Sequence, residues 1–183
     1  MSDAESIARV KQRAVDNFKS GLNCAESVFL AIHAALDTDL PPATLCLLTG
    51  FGSGGGLFGG TCGSLNGAIA ALGLVYGRRQ PPSGSIEEKK AQLYGNPGLY
   101  RIFNRLSNAF QDHFGTTLCR DITRPWHGDW FARDRFKKCL KTVAFMAETA
   151  ATMVFPANKE YWGSQALGQN LLEKDEKKAV GGR

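Results

Sequence analysis

Residues 50–79 read GFGSGGGLFGGTCGSLNGAIAALGLVYGRR, and this stretch decides the predicted fold. Its first part, Gly50 to Gly67, contains nine glycines. This is too many for a regular helix, because each glycine costs about 1 kcal/mol in a helix interior. We therefore predict a shaped loop. From Gly63 onward small apolar residues return at helical spacing, so the loop leads into a helix whose N-terminus lies beside Cys62.

The rest of the chain is predicted to form helices on both sides of this loop. Ile7, Val10, Ala14 and Phe18 lie on one helical stripe, and Asn23 with Glu26 forms a variant capping box for a second helix. The segment ATLCLLTGF after two prolines predicts a third helix, in which Cys46 is packed. No alternating strand pattern was found.

These patterns predict an all-α fold, a single domain of six or seven helices around the Gly-rich loop. Later helices are predicted in IEEKKAQLYG, in LYRIFNRLSNAFQDHFG and in a last long segment where Cys139 faces the core. Residues 1–155 are assigned to the helical domain. Residues 156–183, which end in EKDEKKAVGGR, are predicted to be a loosely packed or partly disordered tail.

Composition excludes several classes of protein. The chain has 183 residues, 43% of them hydrophobic and 21% charged, which is ordinary for a globular domain. Its net charge of +5 does not form one basic run, so nucleic acid is not expected as a partner. No apolar stretch is long enough for membrane insertion, and the N-terminus does not resemble a secretory signal. We expect a cytoplasmic protein.

The five cysteines differ in their surroundings. There is no Cys-x-x-Cys pair, which argues against a zinc knuckle or a thioredoxin-type motif. Cys62 lies where the Gly-rich loop meets a helix, and Cys24 lies in the first turn of another helix. Main-chain amides and the helix dipole at such places are expected to lower the pKa of a thiol. Buried packing is the ordinary alternative for all five cysteines.

At these residues the sequence resembles a known family. NCAES with Cys24, CGSLNGA with Cys62, and single Cys119 and Cys139 are similar to the redox-active family named for its C_GCAxxG_C_C cysteine pattern. The resemblance covers about Gly21 to Val143. It departs from the family at Ser64, where the pattern usually has Ala. The family's fold is similar to the iron–sulfur region of split-Soret cytochromes, whose haem-binding motifs this chain lacks.

The resemblance implies a helical domain in which Cys24, Cys62, Cys119 and Cys139 bind an iron–sulfur cluster, most simply [2Fe–2S], for electron transfer. Gly55, Gly56, Gly60 and Gly63 are expected to contact this cofactor, because glycines allow main-chain N–H groups to approach the cluster sulfurs. Two alternatives remain open for the same cysteines: a metal-free thiol–disulfide enzyme or sensor, and a structural zinc domain that acts as an interaction module.

Partners and histidines are less well defined by the sequence. An unidentified redox protein is the expected partner, and a homodimer is suggested by the resemblance and by the small residues Gly67, Ala68, Ala71 and Gly73. His33 is interpreted as a core histidine, whereas His113 or His127 could line the site. No nucleophile is tied to them by spacing, so hydrolysis is not expected.

Overall fold

A computed structural model describes residues 2–155 and 157–172. Within these residues the chain forms α-helices and two 3₁₀ helices, with no β-strand, which confirms the all-α prediction. Six of the α-helices have nine residues or more. The helices are α1 (Asp3–Lys19), α2 (Cys24–His33), α3 (Gly52–Gly55), α4 (Gly63–Tyr76), α5 (Ile86–Tyr94), α6 (Leu99–Phe114), α7 (Cys119–Ile122), α8 (Arg133–Val154) and α9 (Lys159–Ser164).

The core is a bundle in which α2 packs against α1, α4 and α8. Helix α2 buries seven of its ten residues, because its sequence is apolar on nearly all sides. The predicted capping box is present at its start. The Asn23 side chain accepts hydrogen bonds from the main-chain N–H groups of Ala25 and Glu26, and the Glu26 carboxylate accepts one from the N–H of Asn23.

Small residues on α4 allow it to approach α2 closely. A Cβ atom at Gly67 would lie only 2.3 Å from the main-chain oxygen of Ala25, so only glycine fits there. Ala68 and Ala71 are fully buried in the core of the same chain. Packing within the chain thus accounts for these small residues, and the homodimer stays a prediction.

The third predicted helix differs from expectation. Pro42–Phe51 is a 3₁₀ helix, and Cys46 in it is exposed to solvent instead of packed. In a 3₁₀ helix the side chains three residues apart lie above one another. Leu45 and Leu48 therefore share the inward face, with Leu48 buried, whereas Cys46 and Leu47 point outward.

Helix α9 lies inside the segment that was predicted to be a tail. Its Trp162 packs against the core, and Gly163 accepts a hydrogen bond on its carbonyl from the N–H of Gly98 at 2.9 Å. Residues 173–183 lie outside the described residues, so the predicted tail from residue 156 stays a prediction. None of the described helices has both the length and the apolar character that crossing a bilayer requires.

Two glycines of α4 offer a matched test of this packing. We expect Gly67→Ala to destabilise the protein by about 1–3 kcal/mol, because the added methyl group collides with the main chain of α2. Gly73→Ala should stabilise it by about 0.5–1 kcal/mol, because Gly73 lies in the helix interior and no atom lies within 4 Å of the added methyl group. Thermal or urea unfolding measures both variants. Equal effects would contradict the described approach of α4 to α2.

Candidate functional site

The Gly-rich loop contains a left-handed turn that includes residues 53–55 of the short element α3, which is therefore not a regular right-handed α-helix. Five consecutive residues, 53–57, have positive φ angles between 55° and 90°. Three of them are glycines, which adopt this conformation easily. The other two, Ser53 and Leu57, have side chains that disfavour it. At Gly54 a Cβ atom would lie 2.8 Å from the Cβ of Cys119 and 2.7 Å from the main-chain nitrogen of Gly60. The absence of a side chain at Gly54 therefore allows the loop to contact Cys119.

Main-chain hydrogen bonds join the end of this loop to the segment before α7. The N–H of Cys62 donates to the carbonyl of Thr117 at 2.8 Å, and the N–H of Cys119 donates to the carbonyl of Gly60 at 2.7 Å. Thr61 and Leu118 form an isolated antiparallel bridge between them. These bonds hold Cys62, the N-cap residue of α4, close to Cys119, the first residue of α7.

Four of the five cysteines line one small cavity. Cys24 opens α2, Cys62 precedes α4, Cys119 opens α7 and Cys139 lies in the second turn of α8. All four line the same cavity of about 170 Å³. Cys46 does not line it. The structure therefore brings together the four cysteines predicted as ligands and leaves out the one that was predicted to lie elsewhere.

The four glycines predicted to contact a cofactor have different positions. Gly63 lies against Cys24, since a Cβ atom there would be 2.4 Å from the sulfur. Gly60 holds the main chain of Cys119 through its carbonyl. Gly55 and Gly56 are exposed, and neither lines the cysteine cavity. The cofactor contacts of all four stay a prediction.

Polar groups surround the sulfur atoms. The Cys62 Sγ lies 3.3 Å from the Ser64 hydroxyl and 3.9 Å from that of Thr142. The Arg135 guanidinium donates to the Cys139 Sγ at 3.7 Å. The main-chain N–H of Ser53 bonds to the Cys24 thiol. The two nitrogen donors, on Arg135 and Ser53, stabilise negative charge on sulfur, as a metal-bound thiolate requires, whereas the Thr142 hydroxyl accepts the hydrogen bond of the Cys62 thiol.

Burial nevertheless dominates the protonation of the thiols. It raises the pKa of Cys24 to about 12, and negative charge on Cys62 adds to this effect. Burial followed by the charge of Cys62 likewise raises the pKa of Cys119 to about 12. The pKa of Cys139 is raised by burial, although Arg135 opposes the shift. The expectation that a helix N-terminus lowers the pKa of Cys24 is therefore wrong, because loss of water outweighs the helix dipole.

The histidines do not join the cysteines. His33 is buried, and its Nε2 lies 3.0 Å from the carbonyl oxygen of Leu40, which confirms its interpretation as a core residue. His113 stacks on Phe145 with ring centroids 4.2 Å apart. His127 lies 3.4 Å from the Thr123 hydroxyl, outside the cysteine cavity. Among the residues that the structure describes, no group of three or more His, Cys, Asp and Glu side chains is placed to hold one metal ion.

Several residues of the cavity were missed in the sequence. Arg135 could have been found, since it lies four residues before Cys139 and residues at this spacing share a helix face. Ser53 and Thr142 carried no such signal, because their positions depend on contacts between distant segments.

The donor set suits an iron–sulfur group. Four thiols, three within helices and one at the N-cap of α4, are the kind of ligand that such a cluster requires, and the Arg135 guanidinium and the Ser53 N–H donate to two of the sulfurs.

Comparison with known proteins agrees with this arrangement of cysteines. An “Uncharacterized protein” of Archaeoglobus fulgidus is 27% identical over 148 residues, which cover 79% of this chain and 92% of the relative. No solved structure matches the chain. Residues 22–153 match the family described as “Putative redox-active protein (C_GCAxxG_C_C)”, and this segment contains all four cavity cysteines. The chain belongs to this C_GCAxxG_C_C family of redox-active proteins.

Proposed function

We propose that this chain is a cytoplasmic electron-transfer protein in which Cys24, Cys62, Cys119 and Cys139 bind an iron–sulfur cluster of the [2Fe–2S] type. The observation that carries this proposal is the convergence of four thiols, from four separate segments of the chain, on one cavity of about 170 Å³. When bound, a [2Fe–2S] cluster accepts and releases one electron at a time.

The residues around the cavity support binding of an anionic group. Four thiolates and a [2Fe–2S] core carry a net charge near −2, which a buried site must offset. Arg135 lies at the cavity and contacts the sulfur of Cys139. The Ser64 hydroxyl and the Ser53 N–H contact two other sulfurs. Together they supply one positive charge and two hydrogen-bonding groups.

A metal-free thiol enzyme fits these residues less well. Its attacking cysteine needs a thiolate near neutral pH, and thiolates are favoured by positive, partly exposed surroundings. Cys62 and Cys119 are buried, and the exposed Cys46 stands apart from them. A metal resolves this difficulty because it displaces the thiol proton and compensates the charge.

A single zinc ion also fits less well than a two-iron cluster. Structural zinc requires four ligands around one point. The described part of the chain places no three suitable side chains in that way. A [2Fe–2S] cluster divides its four thiolates between two irons, so it does not require four ligands around one point.

The direct test uses protein purified without oxygen. We expect it to be brown, with visible charge-transfer absorption and about two iron atoms and two acid-labile sulfides per chain. Cys62→Ala should abolish this absorption, because it removes a ligand from the cavity wall. Cys46→Ala is the matched control and should retain it, at no cost in burial because Cys46 is exposed. Colourless wild-type protein with one zinc would contradict the proposal.

Alkylation of metal-free protein tests the thiol-enzyme alternative. With a pKa of about 12 for Cys24 and Cys119, only about one molecule in ten thousand holds the thiolate at pH 8, and this fraction grows tenfold for each pH unit. We expect iodoacetamide to modify Cys46 first at pH 8 and to reach Cys24 and Cys119 faster at higher pH. Mass spectrometry identifies the modified residues. Rapid modification of Cys24 at pH 7 would favour the enzyme alternative.

Arg135 should influence the reduction potential of a bound cluster. A positive charge near the sulfurs stabilises the reduced form, which is more negative. Arg135→Gln should therefore lower the potential, and Arg135→Lys should lower it less. Arg133→Gln, at an exposed position of the same helix, is the matched control. Redox titration followed by electron paramagnetic resonance measures the potentials, and an unchanged value in Arg135→Gln would contradict this role.

A further inference from the structure

A groove outside the cysteine cavity reaches Cys119 from the surface. It has a volume of about 510 Å³ and is open to solvent. Cys119, Thr123 and Trp130 line both the groove and the cysteine cavity. The groove is therefore a surface from which another molecule approaches one of the four cavity cysteines, Cys119. Its remaining walls include Leu57, Phe58, Gly59, Arg120 and His127.

Two large apolar side chains stand at the mouth of this groove without packing into the core. Leu57 is 68% exposed and Phe58 is 76% exposed. Leu57 also has a φ angle of +75°, which glycine adopts easily and leucine does not. Leu57 therefore destabilises the isolated chain in two ways. Its apolar side chain is exposed to water, and its backbone conformation is unfavourable for leucine. Folding requires neither the exposed apolar side chain nor the strained backbone, so both point to contact with another molecule.

The segment from residue 119 to residue 141, which includes Cys119 and Arg120 of the groove, carries most of the chain's net positive charge. Between residues 119 and 141 there are seven Lys and Arg against three Asp and Glu, a net +4 of the chain's +5. The surplus is therefore concentrated beside the cysteines, not scattered as its lack of a single run suggested. Arg120 lies in the groove, with its guanidinium 5.2 Å from the centroid of the Phe58 ring. It also donates to the carbonyls of Phe58 and Gly59.

We propose that this groove, with Leu57, Phe58 and Arg120 at its mouth, docks an acidic protein that carries one electron. This inference rests on the proposed redox function. An apolar surface lined by a cation, Arg120, in the segment that carries most of the chain's net positive charge complements an acidic partner, since opposite charges steer association and apolar contacts hold the complex. A second copy of this chain suits the groove poorly, because symmetric pairing would bring two positively charged surfaces together. In the electron-transfer step between the docked protein and this chain, one electron leaves the donor, which is oxidised, and reduces the acceptor. No bond is formed or broken, and no proton is transferred.

The test measures binding of two redox proteins of opposite charge. An acidic plant-type ferredoxin is titrated into the full chain by calorimetry at about 0.02 M and about 0.3 M salt, because salt screens exposed charges. Basic cytochrome c is the probe of opposite sign. We expect ferredoxin to bind at low salt, to bind more weakly at high salt, and cytochrome c not to bind. Leu57→Gly and Arg120→Gln should each weaken ferredoxin binding about tenfold.

Matched variants separate docking from folding. Leu57→Gly should unfold at the same or a higher temperature than wild type, because glycine tolerates the positive φ angle. Leu172→Gly changes a leucine with 64% exposure away from the groove, and Arg9→Gln removes an exposed cation of α1. Both should bind ferredoxin like wild type. If Arg120→Gln loosens the loop, Arg120→Lys and Leu57→Gly still report on the groove.

Three outcomes would overturn the docking proposal: no ferredoxin binding by wild type at low salt, equal binding of cytochrome c, or a dimer of this chain that Leu57→Gly dissociates. The visible spectrum of the same samples reports on the cluster separately. Colourless protein that still binds ferredoxin through Leu57 would refute the cluster and retain the docking surface. Brown protein that binds neither probe would refute docking alone.

Discussion

The pairing of the loop end with the segment before α7 is the interaction on which the candidate site depends. Two main-chain hydrogen bonds, from Cys62 to Thr117 and from Cys119 to Gly60, connect segments that are far apart in sequence. They require a close approach that only a glycine at position 54 allows. Without these two hydrogen bonds the main chain would not hold Cys62 close to Cys119. The glycines therefore act here through the absence of side chains, more than through their N–H groups.

A second constraint is the removal of the thiols from water. Burial makes thiolates costly, so the same packing that gathers the cysteines also keeps Cys24 and Cys119 protonated in the metal-free chain. The groups near the sulfurs partly oppose this cost, above all Arg135 at Cys139. Buried thiols with nearby stabilising groups form a site in which a metal group can replace the thiol protons. The exposed thiol of Cys46 lacks such surroundings.

Local patterns in the sequence predicted the helices, because these signals depend on near neighbours, whereas the set of four cysteines followed from the resemblance to the family. The capping box at Asn23 and Glu26 and the start of α4 after Cys62 were confirmed. The packed position of Cys46 was wrong, since a 3₁₀ helix turns its side chains differently from an α-helix. Ser53 and Thr142 could not be placed at the site, because only tertiary contacts bring them there. The net positive charge of residues 119–141 was visible in the sequence, but the position of Arg120 in the groove depended on tertiary contacts.

The four cavity cysteines belong to distant segments of the chain, from the first residue of α2 through the N-cap of α4 and the first residue of α7 to the second turn of α8. A group bound by all four would act as a cross-link between distant segments, and it would close loops that are long in sequence. Closing long loops restricts the unfolded chain most, so such a cross-link favours the folded state. It also sets an order of assembly. The last ligand becomes available only after residue 139 has been synthesised, so a group held by all four thiols is completed only when most of the domain has been made.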